Sequence, residues 1–264
     1  MKAAIMMNVV VSADSPVIHS DTLFGAVCYG IRHIYGNDEL SALLEEKKIH
    51  VSSTIPMMDD ALYVPFTNPP IYNAPEGLEK KIRKQQFIRA DAIPKLHEID
   101  EDTIEDIFLS EPYKFVAVPH NMPNREFLQS ENLFFSTKIY WNSDISLVVL
   151  YKGDDKKIEA ALRLLADDGI LRDKTSGGCF FELEIGDVDL PQSGNQFINL
   201  SLYIPTQDEA EYYKSKCSAY YKLIMREGRS ENIYAKEKVK PAKIFIAEGS
   251  IFPCENKKEL YGAY

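Results

Sequence analysis

Ile145-Ser146-Leu147-Val148-Val149-Leu150-Tyr151 is followed by Lys156-Lys157-Ile158-Glu159-Ala160-Ala161-Leu162-Arg163-Leu164-Leu165, by Gly169-Ile170-Leu171-Arg172-Asp173-Lys174-Thr175-Ser176-Gly177-Gly178, and by Cys179-Phe180-Phe181-Glu182-Leu183-Glu184-Ile185. The first run is continuously apolar and β-branched, so it reads as a buried strand. The second places apolar residues on one helical face. The last is a short apolar alternation, so the whole reads as strand, helix, loop, strand. The loop combines glycines with Arg172, Lys174, Thr175 and Ser176. Glycines bring bare backbone N–H groups close to a ligand, and successive N–H groups form anion-binding concavities. Cations and hydroxyls suit phosphate oxygens. A phosphodiester backbone is the first ligand this loop suggests. The alternative is an ordinary helix C-terminus with Gly169 just past the last turn.

Working outward, residues Ala3 to Val11 are apolar and predict a buried first strand without a signal-peptide cleavage pattern. His19-Ser20-Asp21-Thr22 then leads into Leu23-Phe24-Gly25-Ala26-Val27-Cys28-Tyr29-Gly30-Ile31, apolar nearly all round, which predicts a buried helix with Ser20 or Asp21 as N-cap. Ile49 to Ile55 and Leu62 to Phe66 predict two strands joined around Met58-Asp59-Asp60. Strand, helix, two strands, helix, strand is the ferredoxin-like pattern. It fits the chain up to Ile185 if residues of about 67–132, punctuated by prolines, are an insertion.

The core of that insertion is basic, Lys80-Lys81-Ile82-Arg83-Lys84-Gln85-Gln86-Phe87-Ile88-Arg89, and residues 98–106 are acidic. The basic run reads either as a solvated helical face or as a protruding element whose Phe87 and Ile88 wedge between stacked bases. Pro191-Gln192-Ser193-Gly194-Asn195 predicts a linker. After it come a strand (197–204), a helix opening at Thr206-Gln207-Asp208-Glu209, and strands at 219–225 and 243–248. The expected architecture is therefore α+β, two ferredoxin-like (RRM-like) domains at 1–190 and 191–264, the first carrying the insertion.

The chain has 264 residues, 45% hydrophobic and 27% charged, as ordinary folded proteins have. No run of eighteen apolar residues predicts a membrane span. Cys28, Cys179, Cys217 and Cys254 show no paired metal spacing. A reduced, cytoplasmic setting without metal or cofactor is the expectation. The net charge of −10 repels a polyanion at long range, so RNA contact needs local basic patches or partner subunits. No P-loop, nucleophile elbow or His-Glu-x-x-His motif is present.

Five segments in this order resemble the RAMP superfamily of CRISPR-associated proteins, and within it the family of the fourth subunit of the Csm (type III-A) interference complex. They are Ile18-His19-Ser20-Asp21-Thr22-Leu23-Phe24-Gly25-Ala26, the basic 80–89 run, the 169–178 loop, Leu200-Ser201-Leu202-Tyr203-Ile204-Pro205, and Tyr220-Tyr221-Lys222-Leu223-Ile224-Met225-Arg226-Glu227-Gly228-Arg229 with Glu248-Gly249-Ser250-Ile251-Phe252. The loop departs from the family pattern at Ile170 and Leu171, where further glycines are usual, and at Cys179.

The resemblance implies a non-catalytic subunit that binds the crRNA 5′ handle and joins the large Cas ten-type subunit to the backbone RAMP filament. Its insertion implies a thumb that displaces a nucleotide of the guide–target duplex, so target RNA lies near it. RNA-contact residues expected on this basis are His19, Ser20, Lys81, Arg83, Lys84, Arg172, Lys174, Thr175, Ser176, Gly177, Gly178, Arg226 and Arg229. Two rivals stand beside it. One is a RAMP-type endoribonuclease processing guide-RNA precursor with His19 as general acid or base. The other is a pure protein adaptor. Tyr220, Tyr221 and Trp141 read as core aromatics, with base stacking the alternative.

Overall fold

A computed structural model of the chain describes residues 1–11, 15–67, 77–93, 103–124, 129–170, 180–190, 194–216, 219–228, 239–254, 258 and 260–263. In chain order the elements are β1 (Lys2–Met7), β2 (Val10–Val11), α1 (Ser20–Tyr35), α2 (Asn37–Glu45), β3 (Ile49–Val51), β4 (Ile55–Met58), β5 (Ala61–Pro65), α3 (Glu79–Arg83), β6 (Phe87–Arg89), α4 (Ile104–Ile107), β7 (Tyr113–Asn124), β8 (Gln129–Trp141), β9 (Ser146–Gly153), α5 (Asp155–Asp168), β10 (Glu182–Asp187), β11 (Gln196–Ile198), α6 (Gln207–Lys216), β12 (Leu223–Arg226), β13 (Lys243–Ile246) and β14 (Ile251–Pro253). They fall into two compact units, residues 1–63 with 110–190 and residues 64–109 with 191–264.

The first unit is built on β1. It pairs antiparallel with β10 on one side and with β9 on the other, and β9 pairs in turn with β3 and β4. The strand order runs β10-β1-β9-β4-β5. Ala4 and Met6 of β1, Leu147, Val149 and Tyr151 of β9, and Leu183 and Ile185 of β10 alternate onto one face. The apolar stripes of α1 (Leu23, Val27, Ile31) and α5 (Ile158, Ala161, Leu162, Leu165) cover it. The helices cross closely because Gly30 has no side chain: a Cβ there would sit 2.8 Å from Ala161 Cβ. Asp154 caps α5, its side chain accepting from Lys157 N–H, and Lys157 Nζ bonds both Asp154 and Glu39 at 2.7 Å.

Two local readings are refined. The first strand is broken after Met7 by Asn8 (φ 57°), so Val10 and Val11 form a separate strand, β2. The 49–66 region yields three strands, because Asp59 and Asp60 (φ 49° and 60°) make the tight hairpin turn between β4 and β5.

The larger difference is the insertion. Instead of irregular chain, residues 113–124 and 129–141 form a long antiparallel ribbon, β7 with β8, anchored to the unit by β2 on Tyr140 and Ile139. Pro119 and Pro123 sit within β7, which pairs only with β8 among the described residues. The units divide between Leu190 and Pro191, but the first does not hold all the residues expected of it. Residues 64–109 group with the C-terminal part. Phe66 N–H donates to Gln86 O, Thr67 Oγ1 donates to Gly249 O at 2.9 Å, and at Gly249 (φ 78°) a Cβ would collide with the Pro65 carbonyl oxygen.

The second unit has short strand pairs, β11 with β14 and β12 with β13, around Tyr203, Tyr213, Ile246 and Phe252. Its helix α6 opens where the sequence predicts, and with a reciprocal capping pair. Thr206 N–H donates to Glu209 Oε2 at 3.0 Å, and Glu209 N–H donates to Thr206 Oγ1 at 3.4 Å. Glu209 is buried and also accepts from Tyr203 OH, Lys258 Nζ and Gly262 N–H, so it ties residues near the C-terminus to the helix start. Burial opposes its charge, but these donors outweigh burial and hold its carboxyl below the usual glutamate range.

Two outcomes are expected. Gly30→Val overpacks the α1–α5 crossing and costs about 1–3 kcal/mol, read as a lower thermal midpoint. Glu209→Gln destabilises by about 1–3 kcal/mol at neutral pH. Because the folded carboxyl titrates below its unfolded value, this contribution is complete above the ordinary glutamate value of 4.5 and vanishes as pH falls through the folded one. Thermal melts of wild type and variant therefore converge in acid.

Candidate RNA interface

The antiparallel register of β1 and β10 pairs Met7 with Glu182. The exit of β1 and the entry of β10 thus share one end of the sheet, where Asn8 Nδ2 donates to Glu182 Oε1 at 3.1 Å. The exit of β1 leads to α1, whose N-terminus begins at Ser20, and the entry of β10 follows the glycine-rich loop. The same end receives the start of β9, since Met6 pairs with Leu147, and hence the base of the ribbon that precedes it. The chain topology directs three features that are far apart in sequence toward that end: the segment leading into α1, the flanks of the 169–178 loop and the base of the β7–β8 ribbon.

The α1 terminus is held from the side by two buried hydroxyls, and a third ties their segment to β9. Ile18 N–H donates to Thr54 Oγ1 (2.9 Å), Ser20 N–H donates to Ser53 Oγ (2.8 Å), and Leu150 N–H donates to Ser52 Oγ (2.9 Å). The N-cap is His19, one residue before the expected Ser20 or Asp21, and its side chain makes no capping bond. The reason is tertiary: the Ser20 N–H is taken by Ser53. Asp21 lies in the first turn, accepting from Thr22 N–H at 2.7 Å. His19 and Ser20 are both buried, at about 8% exposure.

Arg172, Lys174, Thr175, Ser176, Gly177 and Gly178 lie outside the described residues, as does Arg229. Their flanks do not. Gly169 ends α5 with φ 80°, its N–H donating to Leu165 O. Ile170 and Phe181 are buried at 4% and 7% and both pack in the helix–sheet core. This gives Ile170 a reason to stand where the family has glycine: it anchors one side of the loop and Phe181 the other. Burial of each stabilises by about 1.5–3 kcal/mol.

The ribbon is the feature sequence reasoning missed. Directly opposed residues share a face, so one face carries Phe115, Ala117, Pro119, Phe135 and Leu133 and the other Lys114, Val116, Lys138, Phe134 and His120. Phe115, Leu133 and Phe135 are 58–67% exposed. The His120 ring stacks on Phe134 at 5.2 Å and its Nε2 lies 2.7 Å from Ser136 Oγ. At the base, Tyr113 packs edge-on against Trp141 and Phe115, so Trp141 is a packing residue. The alternation from Tyr113 to Val118 and from Leu133 to Trp141 was the available signal; the prolines between them concealed it.

The other expected contacts are dispersed. Lys81 pairs with Glu105 at 3.4 Å on the surface, and Arg83 and Lys84 are exposed at the end of α3. Phe87 and Ile88 do not protrude: they are 2% and 1% exposed, with Ile88 bridged to Phe108 and Leu109 N–H bonded to Phe87 O. Their burial overturns the wedge reading of that run. Arg226 is half-buried at the end of β12, opposite Lys243. Both belong to the second unit, as do Lys81, Arg83 and Lys84.

Comparison with known proteins places these observations. Residues 192–261 match the family described as the CRISPR Csm4 C-terminal domain. The chain is 27% identical over 250 residues to the CRISPR system Cms protein Csm4 of Thermococcus onnurineus (strain NA1), covering 88% of this chain and 80% of that one. Its fold resembles a chain in the crystal structure of the Csm3-Csm4 subcomplex of the type III-A CRISPR-Cas interference complex, with a TM-score of 0.68, 22% identity, and coverage of 97% of this chain and 93% of that one. It also resembles a chain of the Csm1-Csm4 cassette in complex with pppApA, with a TM-score of 0.61, 21% identity, and coverage of 96% and 86%.

Ser53→Ala leaves the buried Ser20 N–H without its acceptor and is expected to cost about 1–3 kcal/mol. Amide exchange checks it: the first turn of α1 should open faster while the middle of α5 is unchanged.

Proposed function

We propose that this chain, a Csm4-like RAMP protein, is a non-catalytic subunit of a type III-A CRISPR (Csm) effector complex acting in cytoplasmic antiviral defence. It holds the 5′ handle of the crRNA and links the large Cas ten-type subunit to the backbone RAMP filament. The observation that carries this reading is the convergence, at one end of the β10-β1-β9-β4 sheet, of the α1 terminus, the two anchors of the glycine-rich loop and the base of the ribbon. The strand order and the two helices on one face support a ferredoxin-like first domain, and the C-terminal unit is its smaller counterpart. Similarity to chains of the Csm3-Csm4 and Csm1-Csm4 assemblies supports the linking role.

In this account the Arg172–Gly178 loop, pinned by Ile170 and Phe181, offers N–H groups, Lys174 and the hydroxyls of Thr175 and Ser176 to the handle backbone. Such contacts position RNA without reading its sequence. The ribbon takes the thumb role. Its exposed Phe115, Phe134 and Phe135 are the side chains able to stack on or separate bases of the guide–target duplex. Local basic residues and the partner subunits offset the net charge of −10.

The test is binding of labelled guide RNA, with and without its handle, across a salt series, by the protein alone and with its neighbouring subunits. Handle-dependent binding that falls with salt is expected, with Lys174→Glu weakening it about tenfold or more. A Phe134→Ala, Phe135→Ala pair should leave guide binding intact and alter target-duplex binding. Absence of handle dependence in both settings overturns the reading in favour of a protein adaptor. A defined cut in repeat RNA, lost in His19→Ala, overturns it in favour of an endoribonuclease.

A further inference from the structure

Beyond its base the β7–β8 ribbon is open on both faces, and the two faces differ in chemistry. The register sets Lys114 opposite Tyr140, Val116 opposite Lys138, Val118 opposite Ser136 and His120 opposite Phe134, so these side chains share one face. The other face sets Phe115 opposite Ile139, Ala117 opposite Thr137, Pro119 opposite Phe135 and Asn121 opposite Leu133, and it carries no charge. Both lysines of this stretch therefore lie on the first face, with no carboxylate among the side chains paired there. The acidic residues nearest in sequence, Glu111, Glu131 and Asp144, fall outside the stretch, Glu131 beyond the register irregularity at Asn121–Met122. Lys114 and Lys138 are diagonal neighbours, about 7–8 Å apart across the strands. Rings flank them on the same face. Tyr140, 41% exposed, stands opposite Lys114. Farther out, Phe134, 48% exposed, lies nearly parallel to the His120 ring (16°), and the contact of His120 Nε2 with Ser136 Oγ holds that ring in place. From Tyr140 to Phe134 the strand rises about 20 Å.

We propose that this face binds a short unpaired RNA segment beside the guide–target duplex, with phosphates on Lys114 and Lys138 and bases on Tyr140 and on the Phe134–His120 pair. Cations that follow a backbone, with rings on which bases stack, are the composition of a single-strand track. An acidic protein segment would satisfy the lysines, but it gives no reason for two ring platforms about 20 Å apart on the same face. Nucleic acid repeats phosphate and ring along its whole length. The ring faces also decide the state of that RNA, because a base inside a duplex is stacked on its neighbours and only an unstacked base takes an aromatic side chain. The uncharged face does not carry this segment. The inference rests on the chain being an RNA-holding subunit of an effector complex, and it specifies which ribbon face meets RNA and in which state.

The experiment uses the assembled complex with guide and target RNA. A photoreactive benzoylphenylalanine replaces Val116 or, on the opposite face, Thr137, and the cross-linked nucleotide is mapped. The Val116 position should link to an unpaired nucleotide, several-fold more than the Thr137 position, and the map states whether guide or target supplies it. Cross-links from the Val116 position to protein alone, to paired nucleotides alone or to nothing overturn the proposal, as does equal linking to RNA from both faces. In parallel, a Lys114→Glu, Lys138→Glu variant is assayed in the guide-loaded complex. Its affinity for target RNA should fall about tenfold or more and its log–log salt dependence should flatten by roughly 1.4, with guide retention and thermal unfolding unchanged. Unchanged target affinity and salt dependence overturn this proposal alone, whereas a wild-type complex whose guide retention ignores the handle overturns the subunit reading itself.

Discussion

The position of β1 between β9 and β10 is the constraint on which the rest of the first unit depends. Both pairings are antiparallel, so each neighbouring strand begins where β1 ends. That polarity sends α1 away from, and α5 toward, the same end of the sheet, and it places the glycine-rich loop and the ribbon base there as well. A shift of one residue in either register would exchange Ala4 and Met6 for Ala3 and Ile5 beneath the helices. Small residues serve the same geometry: Ala4 lies under the helices, and Gly30 meets Ala161 where α1 and α5 cross.

The second unit solves a different problem. Its strands are short, so no long ladder organises it. Instead Glu209 gathers donors from Thr206, Tyr203, Lys258 and Gly262 around one buried carboxylate, next to a stack of Phe197, Tyr261 and Phe252 rings. Such a network is strongest while the carboxylate is charged. The two units are thus organised differently, one by a continuous strand ladder and the other by a buried hydrogen-bonded carboxylate.

The sheet and helices of the first unit were legible because their periodicities are strong. Residues 147–151 are continuously apolar, and Ile158, Ala161, Leu162 and Leu165 repeat at helical spacing. The start of α6 was legible at Thr206-Gln207-Asp208-Glu209. The ribbon was not, since Pro119 and Pro123 read as breakers, yet a strand with one partner tolerates proline on its open edge. Position in the fold was illegible too. Phe87 and Ile88 sit beside lysines and arginine in sequence and read as exposed, but long-range contacts with Phe108 and Leu109 bury them. The N-cap moved to His19 because Ser53, 33 residues away, supplies the acceptor for Ser20. Of the candidate RNA contacts, the sequence grouped by residue type what the fold divides between two units.

Ultraviolet cross-linking of a 5′-labelled guide RNA in the assembled complex, followed by identification of the cross-linked peptides, tests the central claim most directly. Handle nucleotides should cross-link to peptides at the shared sheet end, those carrying His19 and Ser20 and those between Ile170 and Phe181, with the first guide–target nucleotides on the 113–141 ribbon. Handle cross-links confined to residues 64–109 and 191–264 would contradict the account.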